Sequence, residues 1–384
     1  MNKLGVYIHI PFCVRKCAYC DFYSAPGTPE AMDAYTDALC AHIRVASPRA
    51  AGRETDTVYF GGGTPSVLGA GNLVRILNAV RESFPLSAGA EITLEANPGD
   101  LCLHPLDGGE RPILTLAVLR AAGFDRVSFG VQSSNAAELL LLGRRHSFED
   151  ARRAVLTARC VGFENITLDL MYGLPGQTLP VWARSLDDLL SLEPEHISCY
   201  GLKLEPGTPL WARRAEIPAD EDCLAFYLTA VERLAAAGYA QYEISNFARP
   251  GRESRHNRKY WTGAPYLGFG PGAHSFDGGV RWAWERDTAA YTAGVRRVSE
   301  RVVLTPRDRL EEHIMLSLRT AAGLDPASLP EPVRAGAGRV FAKYLPHGLA
   351  RETGGRLQLT PRGMFVSNAI ISEIFAVIPE HYGE

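Results

Sequence analysis

The sequence lacks three features that would place the protein in a membrane, in a secretory pathway or on nucleic acid. It contains no uninterrupted stretch of 18 apolar residues, so a membrane-spanning helix is not expected. Its N-terminus carries a single lysine and no small-residue cleavage site, so a secretory signal is not expected either. The formal net charge is only −3, which gives no overall basic field to attract nucleic acid. We therefore expect a cytoplasmic protein.

Cysteine is scarce, and its distribution is uneven. Only eight cysteines occur in 384 residues. Five of them are scattered, at positions 40, 102, 160, 199 and 223, and in a reducing compartment these are expected to be buried as small apolar side chains. The other three, Cys13, Cys17 and Cys20, lie close together directly after a predicted strand. This cluster needs a different explanation.

What the sequence does contain is an alternation of short β-rich runs and amphipathic helices. Its 46% of hydrophobic residues are enough for a large core. The pattern predicts helices over residues 148–161 and 179–191, the first begun by Ser147 and Asp150 as a capping box. It predicts strands over residues 4–10, 57–60, 91–95, 126–129, 165–171 and 196–202. Six units are fewer than the eight of a closed barrel, so the expected fold is α/β, a partial (βα)6 TIM-like barrel.

The pattern changes after about residue 215, and we divide the chain into three parts. Residues 1–215 are expected to form the partial barrel, and residues 216–300 to complete it. Residues 301–384 are expected to form a C-terminal helical domain that resembles a winged helix. That domain is predicted to contain a helix-rich segment from Thr305, a hairpin around Gly354 and Gly355, and a last helix from about Pro361.

Polar residues follow several of the predicted strands at the point where each strand ends. Glu95, Gln132 and Asp169 occupy such positions, and residues 61–63 are glycines. Because the carboxyl ends of parallel strands share one edge of the sheet, these residues are expected to lie together. Strand termination or a tight turn explains the glycines equally well, but it does not explain the three polar side chains. The pattern therefore favours a binding site at this edge.

The spacing Cys-x3-Cys-x2-Cys is typical of an iron–sulfur site. Three thiolates on a short loop can bind three irons of a [4Fe–4S] cluster and leave the fourth iron open to an external ligand. A zinc site that adds His9 to the three cysteines is the first alternative, and a redox disulfide is the second. Structural zinc sites generally use two separated ligand pairs, and the sequence has no second pair. We therefore predict that Cys13, Cys17 and Cys20 bind a [4Fe–4S] cluster.

The cysteine motif, with Tyr19 before its last cysteine, resembles the signature of the radical S-adenosylmethionine (SAM) superfamily. The similarity extends through residues 7–13, 60–65, 128–132 and 169–178 and resembles the coproporphyrinogen III dehydrogenase-like branch. The resemblance implies that SAM chelates the open iron, and that one electron from the cluster cleaves SAM to methionine and a deoxyadenosyl radical. It also implies that SAM contacts Tyr7, Tyr19, Gly62, Gly63, Thr64, Glu95, Gln132, Arg144 and Asp169.

The chemistry of these side chains suits that assignment. Carboxylates such as Glu95 and Asp169 can bind the SAM ammonium group or ribose hydroxyls, and Arg144 can bind the methionine carboxylate as a fork. The neighbouring Arg145 is an alternative for that last role. Taken singly, each residue is also explained as part of a capped loop or a surface ion pair, but their recurrence at successive strand ends favours a site. Residues 173–178 lack the ending of a phosphate-binding loop, so no nucleoside triphosphate is expected.

Two departures from the dehydrogenase pattern favour a different function within this branch. The dehydrogenases have a longer N-terminal extension and a fourth cysteine two residues after the third. Here the first cluster cysteine is already residue 13, and Phe22 stands in place of the fourth. The resemblance therefore implies a HemW-type heme chaperone, which binds heme and delivers it to acceptor hemoproteins such as a membrane respiratory enzyme. The alternative is a coproporphyrinogen III dehydrogenase or another radical SAM enzyme acting on a tetrapyrrole, although dehydrogenase activity is not expected.

Residues 256–261 supply a candidate heme site. They resemble the His-Asn-x-x-Tyr-Trp motif of the HemW-type proteins, which implies that His256 is a heme ligand. A neutral imidazole can bind heme iron, and Tyr260 and Trp261 can cover a porphyrin. The alternative is a surface loop with a solvated basic run. His274, in a glycine-rich run further along the chain, is a second candidate ligand.

Overall fold

Six parallel strands, each followed by a helical segment, form the centre of the structure, a computed structural model that describes residues 3–50, 52–103 and 112–383. The strands pair in chain order, each with the next, as expected where helices connect parallel strands. Their bounds are β1 Leu4–Ile10, β2 Thr55–Gly62, β3 Leu86–Ala96, β4 Arg126–Gln132, β5 Ile166–Tyr172 and β6 His196–Gly201. The six predicted strands are thus confirmed, and β2, β3 and β4 are longer than predicted.

The helices of this part cover one face of the sheet. They are α1 Pro29–Val45, α2 Gly69–Ser83, α3 Pro98–Leu103, α4 Pro112–Ala121, α5 Ala136–Leu141, α6 Phe148–Cys160 and α7 Leu179–Leu190. The capping box predicted at the start of α6 is confirmed. The backbone N–H of Asp150 donates to Ser147 Oγ, and the backbone N–H of Ser147 donates to the Asp150 carboxylate at 2.8 Å.

Residues beyond β6 extend the same sheet at both edges. The strands β9 Tyr266–Phe269, β10 His274–Phe276, β11 Val280–Trp284 and β12 Val298–Val303 continue from β1, whereas β8 Asn246–Ala248 and β7 Ala240–Gln241 continue from β6. Three helices lie among them, α8 Asp220–Ala236, α9 Arg255–Thr262 and α10 Thr288–Thr292. Within the described residues the sheet has twelve strands in the order β12-β11-β10-β9-β1-β2-β3-β4-β5-β6-β8-β7. The predicted α/β architecture is therefore confirmed, and the sequence analysis missed these short outer strands.

The C-terminal region is helical, as predicted. It contains α11 Pro306–Leu318, α12 Glu331–Tyr344, a hairpin of β13 Ala350–Thr353 and β14 Arg356–Leu359, α13 Pro361–Phe365 and α14 Ser367–Phe375. The predicted hairpin turn is confirmed at Gly354 and Gly355, whose φ angles of 57° and 74° suit a two-residue turn that glycine adopts without strain. The three-part division of the chain stays a prediction.

The two faces of the central sheet differ in chemistry. In β1, Leu4, Val6 and Ile8 are fully buried in the hydrophobic core beneath the helices. Tyr7 and His9 alternate with them and face a cavity on the other side of the sheet. The sheet therefore encloses a polar interior on one face and a core on the other, as a partial barrel does.

The scattered cysteines are only partly buried as predicted. Cys40 and Cys199 are buried, but Cys160 is exposed at the end of α6 and Cys223 is half-buried. The prediction is wrong for Cys160 because the apolar stripe of α6 lies on other positions, such as Ala151, Ala154 and Val155. The side chain of Cys102 lies outside the described residues.

No helix in the described ranges has both the length and the apolar character needed to cross a lipid bilayer.

Candidate functional site

A cavity of about 840 Å³ opens where the six parallel strands end. Its size falls in the range of small-molecule and cofactor sites. The structure brings to this one cavity all twelve residues that the sequence indicates for the cluster and for SAM, namely Cys13, Cys17, Cys20, Tyr7, Tyr19, Gly62, Gly63, Thr64, Glu95, Gln132, Arg144 and Asp169. Residues from five strands and three connecting segments thus converge on a single space.

The loop between β1 and α1 presents the three cysteines to this cavity. Backbone hydrogen bonds fix both halves of the loop, because Cys13 N–H donates to Ala25 O at 3.1 Å and Ala18 N–H donates to Leu142 O at 3.0 Å. Gly143, with a φ of 72°, allows the loop to pack closely, since a Cβ there would lie 3.3 Å from the Ala18 nitrogen. The thiols are therefore held by an ordered backbone.

The surroundings of the thiols suit a negatively charged group. Arg144 Nη1 lies 3.4 Å from Cys17 Sγ, and Ser24 Oγ lies 3.4 Å from Cys13 Sγ. Burial raises the pKa of the Cys20 thiol, so its thiolate needs a positive partner such as a metal. A guanidinium beside a thiolate offsets part of the charge that three thiolates bring to a cluster.

The donor set fits a cluster better than a single zinc ion. His9, the proposed fourth zinc ligand, has both ring nitrogens engaged, Nδ1 with the Tyr7 hydroxyl at 3.2 Å and Nε2 with Tyr23 O at 2.9 Å. In the part of the chain that the structure describes, no three His, Cys, Asp or Glu side chains come close enough to hold one ion. A [4Fe–4S] cluster needs no such convergence, because each thiolate binds a different iron.

The glycine-rich segment after β2 lies against β1 and Glu95. Gly62 has a φ of 108°, and a Cβ there would lie 2.5 Å from the His9 ring. A Cβ on Gly63 would lie 2.4 Å from the Phe12 carbonyl oxygen. The segment therefore requires glycine for a close approach of backbones.

Glu95 is a fixed and weakly acidic carboxylate on the cavity wall. It accepts hydrogen bonds from the Tyr59 hydroxyl at 2.7 Å and from the Gly62 N–H at 3.2 Å. Burial raises the pKa of Glu95 to about 7, although the Tyr59 hydrogen bond acts in the opposite direction. Burial also raises the pKa of Asp169, which accepts from Ser128 Oγ at 3.3 Å. Arg126 acts against the effect of burial on the pKa of both carboxylates, and Arg144 does so at Asp169, but burial prevails and favours a bound cation beside them.

A β-bulge positions Gln132 at the end of β4. The register between β4 and β5 shifts between Gly130 and Gln132, and Gln132 has a φ of 71°, which is unusual for a residue with a side chain. Bulges of this kind redirect a side chain at a site, and the strained backbone is a feature often found where ligands bind. Gln132, the last residue of β4, thereby lines the cavity.

Of the two neighbouring arginines, only Arg144 lies on the cavity. It donates to the Gly130 carbonyl and to Asn97 Oδ1, which holds its guanidinium beside Cys17. Arg145 forms an ion pair with Asp100 instead. The placement favours Arg144 over Arg145 for a carboxylate of a ligand in the cavity.

The structure places His256 beneath the cavity surface. It lies on α9, is fully buried, and has both ring nitrogens in hydrogen bonds, Nδ1 with Thr57 Oγ1 at 2.8 Å and Nε2 with the Tyr260 hydroxyl at 3.0 Å. Burial lowers the pKa of His256 to about 3, so the ring is neutral. His256 does not line the cavity itself, but Tyr7, Tyr59 and Tyr260, which do, contact its ring. His274 is exposed and lies directly on the cavity wall.

Several cavity residues were not singled out in the sequence. They are the inward-facing residues of the strands, among them Tyr59, Arg126, Ser128, Thr167, Ser198 and Tyr200. The alternation of β4 carries the missed signal, because buried Val127, Phe129 and Val131 alternate with polar or small residues. Reading both faces of each strand, rather than only its end, would have found them.

Comparisons with known proteins support a radical SAM assignment. A model of the radical SAM superfamily matches residues 7–189, and a model of the HemN C-terminal domain matches residues 304–366. The heme chaperone HemW of Mycobacterium tuberculosis is 38% identical to this chain, and the alignment covers 96% of this chain and 94% of the HemW chain. The heme chaperone HemW of Escherichia coli K12 is 40% identical, and the alignment covers 71% of this chain and 70% of that HemW chain.

Among solved structures, the coproporphyrinogen III oxidase HemN from Escherichia coli, a radical SAM enzyme, is similar over its whole fold. The two structures superpose with a TM-score of 0.82 and share 26% sequence identity, over 98% of this chain and 91% of HemN.

Proposed function

The chain belongs to the radical SAM superfamily and, within it, to the family of the heme chaperones HemW, and on this basis we propose that it binds heme and delivers it to acceptor hemoproteins. The observation that carries the proposal is the similarity to HemW over 96% of the chain. A cytoplasmic location and an acceptor such as a membrane respiratory enzyme are part of the same proposal. The proposal includes no nucleic-acid partner, because a net charge of −3 gives no overall basic field to attract one.

Cys13, Cys17 and Cys20 would hold the [4Fe–4S] cluster, which when bound supplies a single electron and one open iron position. Arg144 would bind the SAM carboxylate beside Cys17, and Glu95 and Asp169 would bind its positive groups. The remaining expected contacts, Tyr7, Tyr19, Gly62, Gly63, Thr64 and Gln132, would shape the pocket and exclude water from it.

We propose His256 as a heme ligand that becomes available when Tyr260 moves. Tyr260, which lines the cavity and is 36% exposed, engages His256 Nε2 through its hydroxyl. Tyr7 and Tyr59, which also line the cavity, pack against the same imidazole ring. The move would free His256 Nε2, while the bond from Nδ1 to Thr57 would keep the ring oriented. His274 needs no such move and is the second candidate ligand.

Heme titration of the cluster-loaded protein, followed by transfer, tests the proposed function. We expect saturable heme binding and then faster appearance of holo-protein when the heme-loaded chain, rather than free heme, is mixed with a b-type apocytochrome. A chain with all three cluster cysteines changed to alanine is the control for cluster dependence. If the cluster-loaded wild type shows no saturable heme binding, the proposed function is wrong.

The oxidase alternative has one observation in its favour, the overall similarity to HemN. Phe22, which is 68% exposed on the cysteine loop, stands where the dehydrogenase pattern has a fourth cysteine. We expect anaerobically reconstituted protein, supplied with SAM and a reductant, to leave coproporphyrinogen III unchanged. Formation of protoporphyrinogen would instead establish the enzyme and remove the chaperone proposal.

A further inference from the structure

Arg126 is a buried cation in the interior of the partial barrel. It is the first residue of β4, is only 1% exposed, and contributes to the wall of the cavity. Its Nη2 donates to Thr167 Oγ1 on the neighbouring strand β5. Among the described residues, its Nε and Nη1 have no hydrogen-bond partner.

Glu95 and Asp169, the carboxylates nearest to Arg126, are close enough to interact with its charge but accept their hydrogen bonds from other groups. Glu95 is held by Tyr59 and Gly62, and Asp169 accepts from Ser128. A buried guanidinium with two unused donors is costly to keep unless an anion binds it. The fork geometry of arginine makes a carboxylate the matching partner.

We propose that Arg126 is a carboxylate-binding subsite for a propionate of the bound heme; this inference rests on the proposed function. The carboxylate of SAM is the other source of the same chemistry. Arg126 lies six residues before Gln132 on β4, which is about 20 Å along an extended strand. A SAM carboxylate held beside Cys17 and Arg144 would therefore lie toward the end of β4, whereas Arg126 is at its start; Asp169 lies within electrostatic range of both arginines.

The position of Arg126 also matches the proposed heme ligand. Arg126 is in register with Thr93 on β3, two residues beyond Glu91, whose carboxylate accepts from the His256 backbone N–H at 3.0 Å. Both residues therefore belong to the same deep layer of the barrel interior. A porphyrin whose iron lies near His256 would carry its propionates within this layer, where Arg126 supplies the positive charge.

The test compares heme with its dimethyl ester, which keeps the porphyrin and the iron but has no free carboxylate. Both are titrated into cluster-loaded wild type, Arg126→Gln and the control Arg281→Gln, whose arginine pairs with Glu312 outside the cavity. We expect wild type and the control to bind heme about tenfold more tightly than the ester. Arg126→Gln should bind both equally, with SAM affinity unchanged. Arg126→Lys, which keeps the charge but loses the fork, should retain part of the preference, and it replaces Arg126→Gln if that variant fails to load its cluster.

Each outcome decides the question. If the heme-to-ester ratio of both Arg126 variants equals that of wild type, the propionate subsite is wrong while the chaperone proposal stands. If Arg126→Gln weakens SAM tenfold and leaves the heme-to-ester ratio unchanged, the carboxylate belongs to SAM and the propionate subsite is again wrong. If wild type binds no heme, the proposed function fails and the subsite fails with it.

Discussion

The three clustered cysteines share one cavity, whereas Cys160, which is exposed at the end of α6, does not line it. Location and backbone support, rather than exposure alone, therefore distinguish the proposed iron ligands from the other thiols. This difference provides a matched control within the same chain.

Changing Cys13, Cys17 or Cys20 singly to alanine should abolish the visible absorption of the cluster, because a cluster with one ligand removed has two unprotected irons. Iron and acid-labile sulfide should fall from about four of each per chain toward zero. Cys160→Ala should keep the wild-type content. Full cluster content in all three variants would show that the ligands lie elsewhere.

The hydroxyl of Tyr260 competes with heme iron for His256 in our proposal. Tyr260→Phe removes the hydrogen bond to Nε2 and leaves that nitrogen without a partner in the free protein. A lost hydrogen bond of this kind is worth about 1 kcal/mol, so we expect heme to bind roughly fivefold more tightly, as measured by optical titration. Weaker binding by Tyr260→Phe would mean that the hydroxyl helps to hold heme.

Two histidine variants complete that test. His256→Ala should change the heme spectrum and leave iron–sulfur content intact, and Tyr260→Phe should then give no gain in the His256→Ala background. His274→Ala should retain the wild-type heme spectrum. The reverse pattern would show that the heme ligand is His274, which lines the cavity.

At the level of secondary structure, the parallel units could be predicted because each strand is a run of apolar residues ended by glycine, proline or a polar residue. The outer strands could not, since β7, β8 and β10 have only two or three residues and carry no period of their own. They form because the edges of the central sheet offer unpaired backbone groups.

The candidate site was predictable for the same reason that the strands were. Strand ends meet at one edge, so Glu95, Gln132 and Asp169 could be grouped before any coordinates. The burial of His256 could not be predicted from the sequence, because it depends on how α9 packs. The buried carboxylate of Glu91 accepts a hydrogen bond from the His256 backbone N–H at 3.0 Å. This contact holds the first turn of α9 against the barrel.

A buried ion pair fixes the other side of α9. Lys259 Nζ lies 2.6 Å from Asp56 and donates to the Lys3 carbonyl at 3.1 Å, and its side chain is only 7% exposed. Lys259→Met leaves Asp56, whose side chain is 18% exposed, without its partner. Breaking a fully buried pair typically costs about 3–5 kcal/mol, which is the upper value expected here. We therefore expect a clearly lower midpoint of urea unfolding, followed by circular dichroism.

Lys343→Met is the matched control for that variant. Lys343 pairs with Glu373 at 2.8 Å, but its side chain is 64% exposed, so the loss should be below about 1 kcal/mol. Equal effects of the two substitutions would show that burial of the Lys259 pair does not stabilise α9.

Across the whole molecule, buried histidines tie stability to pH. Burial lowers the pKa of His42 to about 3, because the ring is enclosed between Trp284, Phe269 and Tyr291, and its Nδ1 is hydrogen bonded to the Tyr291 hydroxyl at 2.7 Å. In the unfolded chain the ring takes up a proton near pH 6.5. The contribution of His42 to the free energy of unfolding is therefore fully present above pH 6.5 and is lost as the pH falls toward 3.

Two buried carboxyl groups act in the opposite direction. Burial raises the pKa of Glu95 and of Glu243 to about 7, so the protonated forms are stable in the fold. Their contribution is complete below the unfolded pKa of about 4.3 and is lost as the pH rises toward 7. The pH dependence of the free energy of unfolding is thus a sum of opposing contributions. The contribution of one histidine is obtained by comparing how much wild type and a variant each change in stability between two pH values.

His42→Gln removes one titrating group and leaves both carboxyl groups in place. Between pH 7 and pH 4.5, wild type should lose about 2–3 kcal/mol more than the variant, as measured by urea unfolding at both pH values. Any loss of packing in His42→Gln affects both pH values alike and cancels in the difference. His347→Gln, at an exposed position, should keep the wild-type pH dependence. If His42→Gln also keeps it, the ring is already protonated or accessible in the native protein, and the contact between α1 and α10 that it mediates does not couple folding to pH.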